Sequence, residues 1–132
     1  MVNERIDPDA VRCETAARNL EHAINQLRHQ GYDPVNVNCI VDLAAGEGFE
    51  SITINKFPTI LASRAAGRSY YATMLKRRVT LRELMRLQGV DPTRVNIDGV
   101  PTTAVGHIIG NAMSCNVVKA ICQSCLACAC LV

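Results

Sequence analysis

Arg77-Arg78-Val79-Thr80-Leu81-Arg82-Glu83-Leu84-Met85-Arg86-Leu87-Gln88-Gly89 is a helix with both ends written into it. Thr80 and Glu83 stand three residues apart, the spacing of a capping box. In that arrangement each side chain satisfies an amide that the first turn leaves without a partner. Leu81, Leu84 and Leu87 recur at helical spacing and are expected to face inward, while the arginines take the outer side. Gly89 supplies the left-handed residue that stops a helix. Thr80 to Gln88 is therefore expected to be a helix.

Downstream, Asp91-Pro92, Asp98-Gly99 and Pro101 mark a loop. Thr102 to Ile109 reads as a short helix, and Gly110-Asn111 as its interruption. Met113 to about Cys128 reads as a final helix, with Val117, Val118, Ile121 and Leu126 as an apolar stripe.

Upstream the pattern is different. Val35-Asn36-Val37-Asn38 and Ser51-Ile52-Thr53-Ile54 alternate as half-buried strands do. Cys39-Ile40-Val41, Thr59-Ile60-Leu61-Ala62 and Tyr70-Tyr71-Ala72-Thr73-Met74 are further strand candidates, with Gly46, Gly48 and Gly67 as turn residues between them. Residues 8–30 return to a helical period. Asp7 is the expected N-cap and Pro8 the first helical residue. Val11, Ala16, Leu20, Ala23, Ile24 and Leu27 form the apolar face, and Gly31 is the stop. The expected class is α+β: a small β-rich region at about 35–74 between an N-terminal helix and a helical C-terminal third.

Composition bounds the function. The chain has 132 residues, room for one core. Aromatic residues make up 4% and Trp is absent, so the core is mostly aliphatic. The net charge of +2 neither demands nor excludes nucleic acid. The positive charge is uneven, however. Arg64, Arg68, Lys76, Arg77, Arg78, Arg82 and Arg86 sit close together with only Glu83 opposing them, so a local basic patch is expected, with Arg64 a candidate DNA-binding residue. No run is long enough to cross a bilayer and the N-terminus lacks the apolar segment of a signal peptide, so no membrane partner is expected. The expected location is intracellular, and nuclear in a eukaryotic host. Seven cysteines, an odd number, argue against a closed disulfide framework. Cys122, Cys125, Cys128 and Cys130 crowd one helix turn and a tail; they are read as small residues on an apolar helix rather than as metal ligands. His22, His29 and His107 show no ligand spacing.

Two segments carry a family resemblance. The stretch from Arg77 to Gly89, followed at the right separation by Ile108-Ile109-Gly110-Asn111-Ala112-Met113, resembles the last two motifs of the DNA (cytosine-5)-methyltransferases, R-x-L-T-x-R-E-x-x-R-L-Q-G and G-N-A-V/M. Phe57-Pro58-Thr59-Ile60-Leu61-Ala62 is similar to the family's P-T-L-T/S-A segment, at the end of the target-recognition domain. Gly67 to Tyr71 is similar to the loop leading into the next block. By motif the resemblance covers about residues 57–123.

The resemblance implies enzymes that flip cytosine out of duplex DNA, attack C6 with a cysteine thiolate and methylate C5 from S-adenosylmethionine; extrusion is needed because the reactive atoms are hidden in the stack. In that family the thiol lies in a Pro-Cys motif and the acid in Glu-Asn-Val. Here the prolines at 8, 34, 58, 92 and 101 precede Asp9, Val35, Thr59, Thr93 and Thr102, and no Glu precedes an Asn. The resemblance thus implies positioning parts. Thr59 would meet a DNA phosphate. Arg78 and the helix after it would brace the recognition domain. Asn111 and Met113 would line the S-adenosylmethionine pocket. Gly110 would allow close backbone approach to the ligand, with Asn111 turning at a helix start. His107 and Ile108 depart from the family, which often has a polar residue such as Gln before the glycine.

On this reading residues 1–34 are an unassigned helical arm, 35–78 a remnant of the recognition region, and 79–132 closing motifs that pack on a cofactor domain. The chain is then a partial methyltransferase domain, inactive alone. It is either a truncated or degenerate fragment, or a subunit of a split enzyme whose partner chain or segment carries the cofactor loop and catalytic cysteine. Val41-Asp42-Leu43-Ala44-Ala45-Gly46-Glu47-Gly48-Phe49 imitates that cofactor loop, but strand-like residues follow at once, so a β-turn is expected. The alternative is a non-catalytic helix-turn-helix-like module that binds DNA or protein through the helices at 80–88, 102–109 and 113–128.

Overall fold

The computed structural model describes residues 13–46 and 51–129. In chain order these form α1 (Glu14–His29), β1 (Cys39–Asp42), β2 (Ile52–Ile54), α2 (Ala62–Ala66), β3 (Tyr70–Ala72), β4 (Arg77–Arg78), α3 (Leu81–Leu87), α4 (Thr102–Asn111) and α5 (Cys115–Cys128). The fold is α+β, with four strands in the order β2-β1-β3-β4, every neighbouring pair antiparallel.

The strand alternation builds three layers. Along β1, Cys39 and Val41 point to one face and Ile40 to the other. The register sets Val41 opposite Tyr71 and Ile40 opposite Ala72, so each face stays uniform across strands. Cys39, Val41, Ile52 and Tyr71 share a core with Ala16, Leu20, Ala23 and Leu27 of α1. Ile40, Tyr70 and Ala72 share a second core with Ala65 of α2, Leu84 and Met85 of α3, and Val105 and Ile109 of α4. Each fully buried Leu contributes about 1.5–3 kcal/mol to these cores. Asn19 ties the α1 layer to the loop after β1, its side-chain amide donating to the carbonyls of Leu43 (2.9 Å) and Ala45 (3.0 Å).

Several local expectations change. The first helix begins at Glu14 after an extended Cys13, so no continuous helix runs from Pro8; Asp7, Pro8 and Val11 lie outside the described residues. Val35–Asn38 is a turn instead of a strand: the Asp33 carbonyl accepts from the amides of Asn36 and Val37 (3.0 Å each), and its carboxylate accepts from that of Val35. This local alternative outcompetes the strand ladder. Thr59-Ile60-Leu61 is an extended loop and Ala62 opens α2. Within α3, Leu84 and Met85 are buried and Leu87 is exposed. The turn expected after Val41 is present in the described residues up to Gly46. Asp42 accepts from the amide of Ala44 in a turn, and the chain returns antiparallel as β2, whereas a dinucleotide-type loop feeds a helix.

Gly110 and Asn111 do not interrupt a helix. Both continue α4, and the break falls at Ala112–Ser114. Asn111 is accordingly a last helical residue, not a first. None of the residues of α5 is buried, so its apolar stripe is open to solvent. No helix among the described residues is long and apolar enough to cross a membrane.

Candidate functional site

Three segments distant in sequence meet at one cleft of about 420 Å³. Phe57, Pro58, Thr59 and Ile60 form one wall, Leu87 and Gln88 another, and Gly110 and Ala112 the third. They are the three motif-bearing segments of the sequence, and each is held by a different device.

The Phe57–Leu61 segment has no strand or helix to define it. It hangs on Tyr70 instead. The Tyr70 hydroxyl donates to the Thr59 carbonyl and accepts from the Leu61 amide, both at 2.9 Å. The Phe57 ring packs edge-on against Tyr70 at 5.1 Å. Burial pushes the Tyr70 hydroxyl above its ordinary pKa, so it keeps the proton that it donates.

The second device is α3. Thr80 Oγ1 accepts from the Glu83 amide (3.2 Å), and Glu83 accepts from the Thr80 amide (2.8 Å) and hydroxyl (2.9 Å): the expected capping box. Arg77 adds a bidentate pair to the same carboxylate at 2.7 and 3.0 Å. That hydrogen-bonded guanidinium, helped by the Thr80 donors and opposed by partial burial, holds Glu83 at about 2. At the other end Gly89 (φ +76°) closes the helix. Its amide reaches Arg86 and the Val90 amide reaches Met85, both at 2.9 Å, the Schellman pattern that only a left-handed residue completes.

Gln88 links the second wall to the third. Its side-chain amide donates to the carbonyls of Ile109 (3.2 Å) and Ala112 (3.1 Å). Its own carbonyl accepts from the Cys115 amide at 2.8 Å. One residue thus satisfies carbonyls at the end of α4 and holds the start of α5. The third device is steric. A Cβ on Gly106 would run into the backbone of Ala65 and Ala66, and one on Gly110 into that of Leu61 and Ala62. The glycine of the G-N-A motif serves helix–helix contact, and its close backbone approach is to α2 instead of a ligand.

The residues singled out in the sequence divide between two places. Thr59 is exposed and lines the cleft. Asn111 and Met113 flank the cleft residue Ala112; both are exposed, Met113 at 68%. Arg64 and Arg78 lie on the α2–β3 side. Arg64 Nε pairs with Asp42 at 2.8 Å, and Arg78 Nη1 donates to the carbonyls of Gly67 (3.4 Å) and Arg68 (3.0 Å). Much of the basic cluster is therefore engaged in internal bonds, while Arg82 and Arg86 are exposed on α3. Sequence reasoning missed Gln88, Tyr70 and Gly106 as site-building residues. Gln88 stood inside the quoted motif; nothing local marks the other two. Cys115, Cys122, Cys125 and Cys128 are exposed free thiols, and no group of three or more His, Cys, Asp or Glu side chains among the described residues is placed to hold a metal. Cys130 lies outside the described residues.

The cleft gathers the three segments on which the family resemblance rests. The model of the C-5 cytosine-specific DNA methylase family matches residues 12–127. The chain belongs to that family. The match takes in α1 and the β1–β2 hairpin, well beyond the span legible from motifs. No match was found among curated proteins, nor among solved structures.

Proposed function

We propose that this chain is the C-terminal part of a DNA (cytosine-5)-methyltransferase, supplying DNA positioning and one rim of the cofactor site. The observation that carries this reading is the cleft itself: Thr59, Gln88 and the backbone around Gly110 come together in one place, while no Pro-Cys and no Glu-Asn pair occurs in the 132 residues. Residues 35–78 are the remnant of the recognition region, and 79–132 are closing motifs that dock on a cofactor domain. The thiol that attacks cytosine and the loop that holds S-adenosylmethionine come from another segment or another chain.

Thr59, on an exposed loop tied back by Tyr70, offers a hydroxyl to a DNA phosphate. Arg64 and Arg78 stiffen the α2–β3 turn behind it and add positive potential toward duplex DNA. Asn111 and Met113 stand beside the cleft and form an open edge, which fits one wall of a cofactor pocket and not a whole one. S-adenosylmethionine, bound there by the completed enzyme, supplies the methyl group. The open apolar face of α5 is the surface expected to meet the missing domain. A helix-turn-helix module is the weaker reading: the short link Ala112–Ser114 between α4 and α5 has the length such modules use, but no residue of α5 is buried, so the helix pair lacks the shared core that would hold a recognition helix in place.

The experiment is a methyl-transfer assay on duplex DNA with labelled S-adenosylmethionine. The purified chain alone is expected to show no transfer and no tight cofactor binding. Adding a family segment that carries Pro-Cys, Glu-Asn-Val and the cofactor loop is expected to restore transfer. Transfer by the chain alone overturns the reading. Tight binding of duplex DNA by the chain alone in a gel shift favours the binding-module reading.

A further inference from the structure

A second hollow, of about 470 Å³, also borders α3, and among the described residues it shares only Leu87 with the cleft. Ile40, Ala72 and Val79 line it as buried members of the second core. Met74, Leu75 and Leu87 line it too, and they are 46%, 53% and 47% exposed. Met74 and Leu75 are the central residues of the turn between β3 and β4, which the Lys76 amide closes on the Thr73 carbonyl at 3.2 Å. Turn centres are usually Gly, Pro, Asn, Asp or Ser. Two large apolar side chains there break a local rule, and such breaks gather at working surfaces. We propose that this groove docks an apolar helix that carries a carboxylate and belongs to another protein chain.

Charge selects the occupant. Two charged residues, Glu83 and Arg86, stand on the α3 side of the groove. Glu83 is already matched by Arg77 at 2.7 and 3.0 Å and by the Thr80 donors. Arg86 is exposed and makes no ion pair among the described residues. Asp91 lies within reach of its field, but the Asp91 carboxylate bonds to the hydroxyl and amide of Thr93, at 2.7 and 2.9 Å. One positive charge therefore borders an apolar hollow. Its complement is an apolar ridge with an acidic residue beside it.

No described helix of this chain offers that combination. α5 is open and apolar, but its only charged residue is Lys119, which Arg86 would repel. The apolar face of α1 is used in the first core. α2 and α4 contain no acidic residue. A second copy is therefore a poor occupant. A small ligand is a poor one as well, because small-molecule sites enclose most of their ligand, and here the lining side chains at Met74, Leu75 and Leu87 are about half exposed. An amphipathic helix lying in an open groove needs only its anchor residues, spaced three and four apart, to be covered. The proposal does not depend on the methyltransferase reading.

The test is fluorescence anisotropy with the full chain and a labelled amphipathic model peptide of about 16 residues, with Leu at helical spacing and Glu beside it. A second peptide has Lys in place of every Glu. The chain is expected to bind the Glu peptide, and the Lys peptide about tenfold more weakly. Arg86→Glu should reverse that order, which a misfolded variant could not do. Leu75→Asp should weaken binding of the Glu peptide about tenfold, with the melting temperature within about 2 °C of the wild type. Val117→Lys with Ile121→Lys, which removes the open face of α5, should leave binding within about twofold. No binding of the Glu peptide by the wild type overturns the proposal, as does equal binding by Leu75→Asp. Loss of binding in the α5 variant also overturns it, because the peptide would then sit on α5. A dimer of the wild type that dissociates in Leu75→Asp and persists in the α5 variant overturns it in favour of a second copy.

Discussion

Gly110 of α4 lies so close to Ala62 of α2 that a single added methyl group would overlap the Ala62 backbone. Gly106 stands in the same relation to Ala66 one turn earlier. Two glycines four residues apart thus let two helices touch through their main chains. In an exposed helix Gly→Ala stabilises by about 1 kcal/mol. Here the clash is with backbone, which cannot swing aside, so the sign reverses. Gly110→Ala is expected to destabilise by about 1–3 kcal/mol, read as a lower urea midpoint, and Gly106→Ala by a similar amount. Unchanged midpoints would mean that α2 and α4 pack less closely.

Glu83 makes stability depend on acid. Its carboxyl sits at about 2 in the folded chain, below its ordinary value in the unfolded one. A depressed folded pKa contributes stability that is complete above the unfolded value, and it is lost as pH falls toward 2. The Glu83 side chain is 31% exposed, so solvent screening reduces the contribution to about 1–2 kcal/mol. Glu83→Gln should lose that amount at pH 7, and its stability should fall less between pH 4.5 and pH 2 than that of the wild type. Parallel pH profiles would show that the Arg77 pair contributes nothing.

Gln88 should be the most informative single substitution at the cleft. Gln88→Ala removes two donors from the carbonyls of Ile109 and Ala112, a loss of about 1–2 kcal/mol. The effect should be local. Amide exchange at residues 112–116 is expected to accelerate, with exchange in α1 unchanged, since α1 belongs to the other core. Uniform acceleration across the chain would argue against a local clamp.

The open face of α5 predicts self-association of the isolated chain. Val117 and Ile121 are more than half exposed, and the helix has no buried residue. Val117→Lys with Ile121→Lys should raise the concentration at which the chain stays monodisperse by light scattering. The melting temperature should stay within about 2 °C, as for other surface changes. A large loss of stability would show that α5 is packed in solution.

The legible part of this protein is the part decided by near neighbours. The Thr80–Glu83 cap, the Gly31 and Gly89 stops and the apolar face of α1 each rest on spacings of three to five residues, and they appear where the sequence places them. Val35–Asn38 misled because alternation says nothing of Asp33, whose carbonyl and carboxylate take the turn amides. Thr59-Ile60-Leu61 misled because a β-prone triplet needs a ladder partner, and here Tyr70 offers a hydroxyl instead.

For the site the division is sharper. The sequence by itself determined the family motifs, the absence of Pro-Cys and the helix that Gln88 caps. Only the tertiary structure decided that Gly110 meets Ala62, that Arg77 is held by Glu83, and that Thr59, Gln88 and Ala112 share one cleft. Helix caps and hydrophobic periods are written within one or two turns of chain. A cleft assembled from residues fifty positions apart depends on how the layers pack, and no local spacing encodes that.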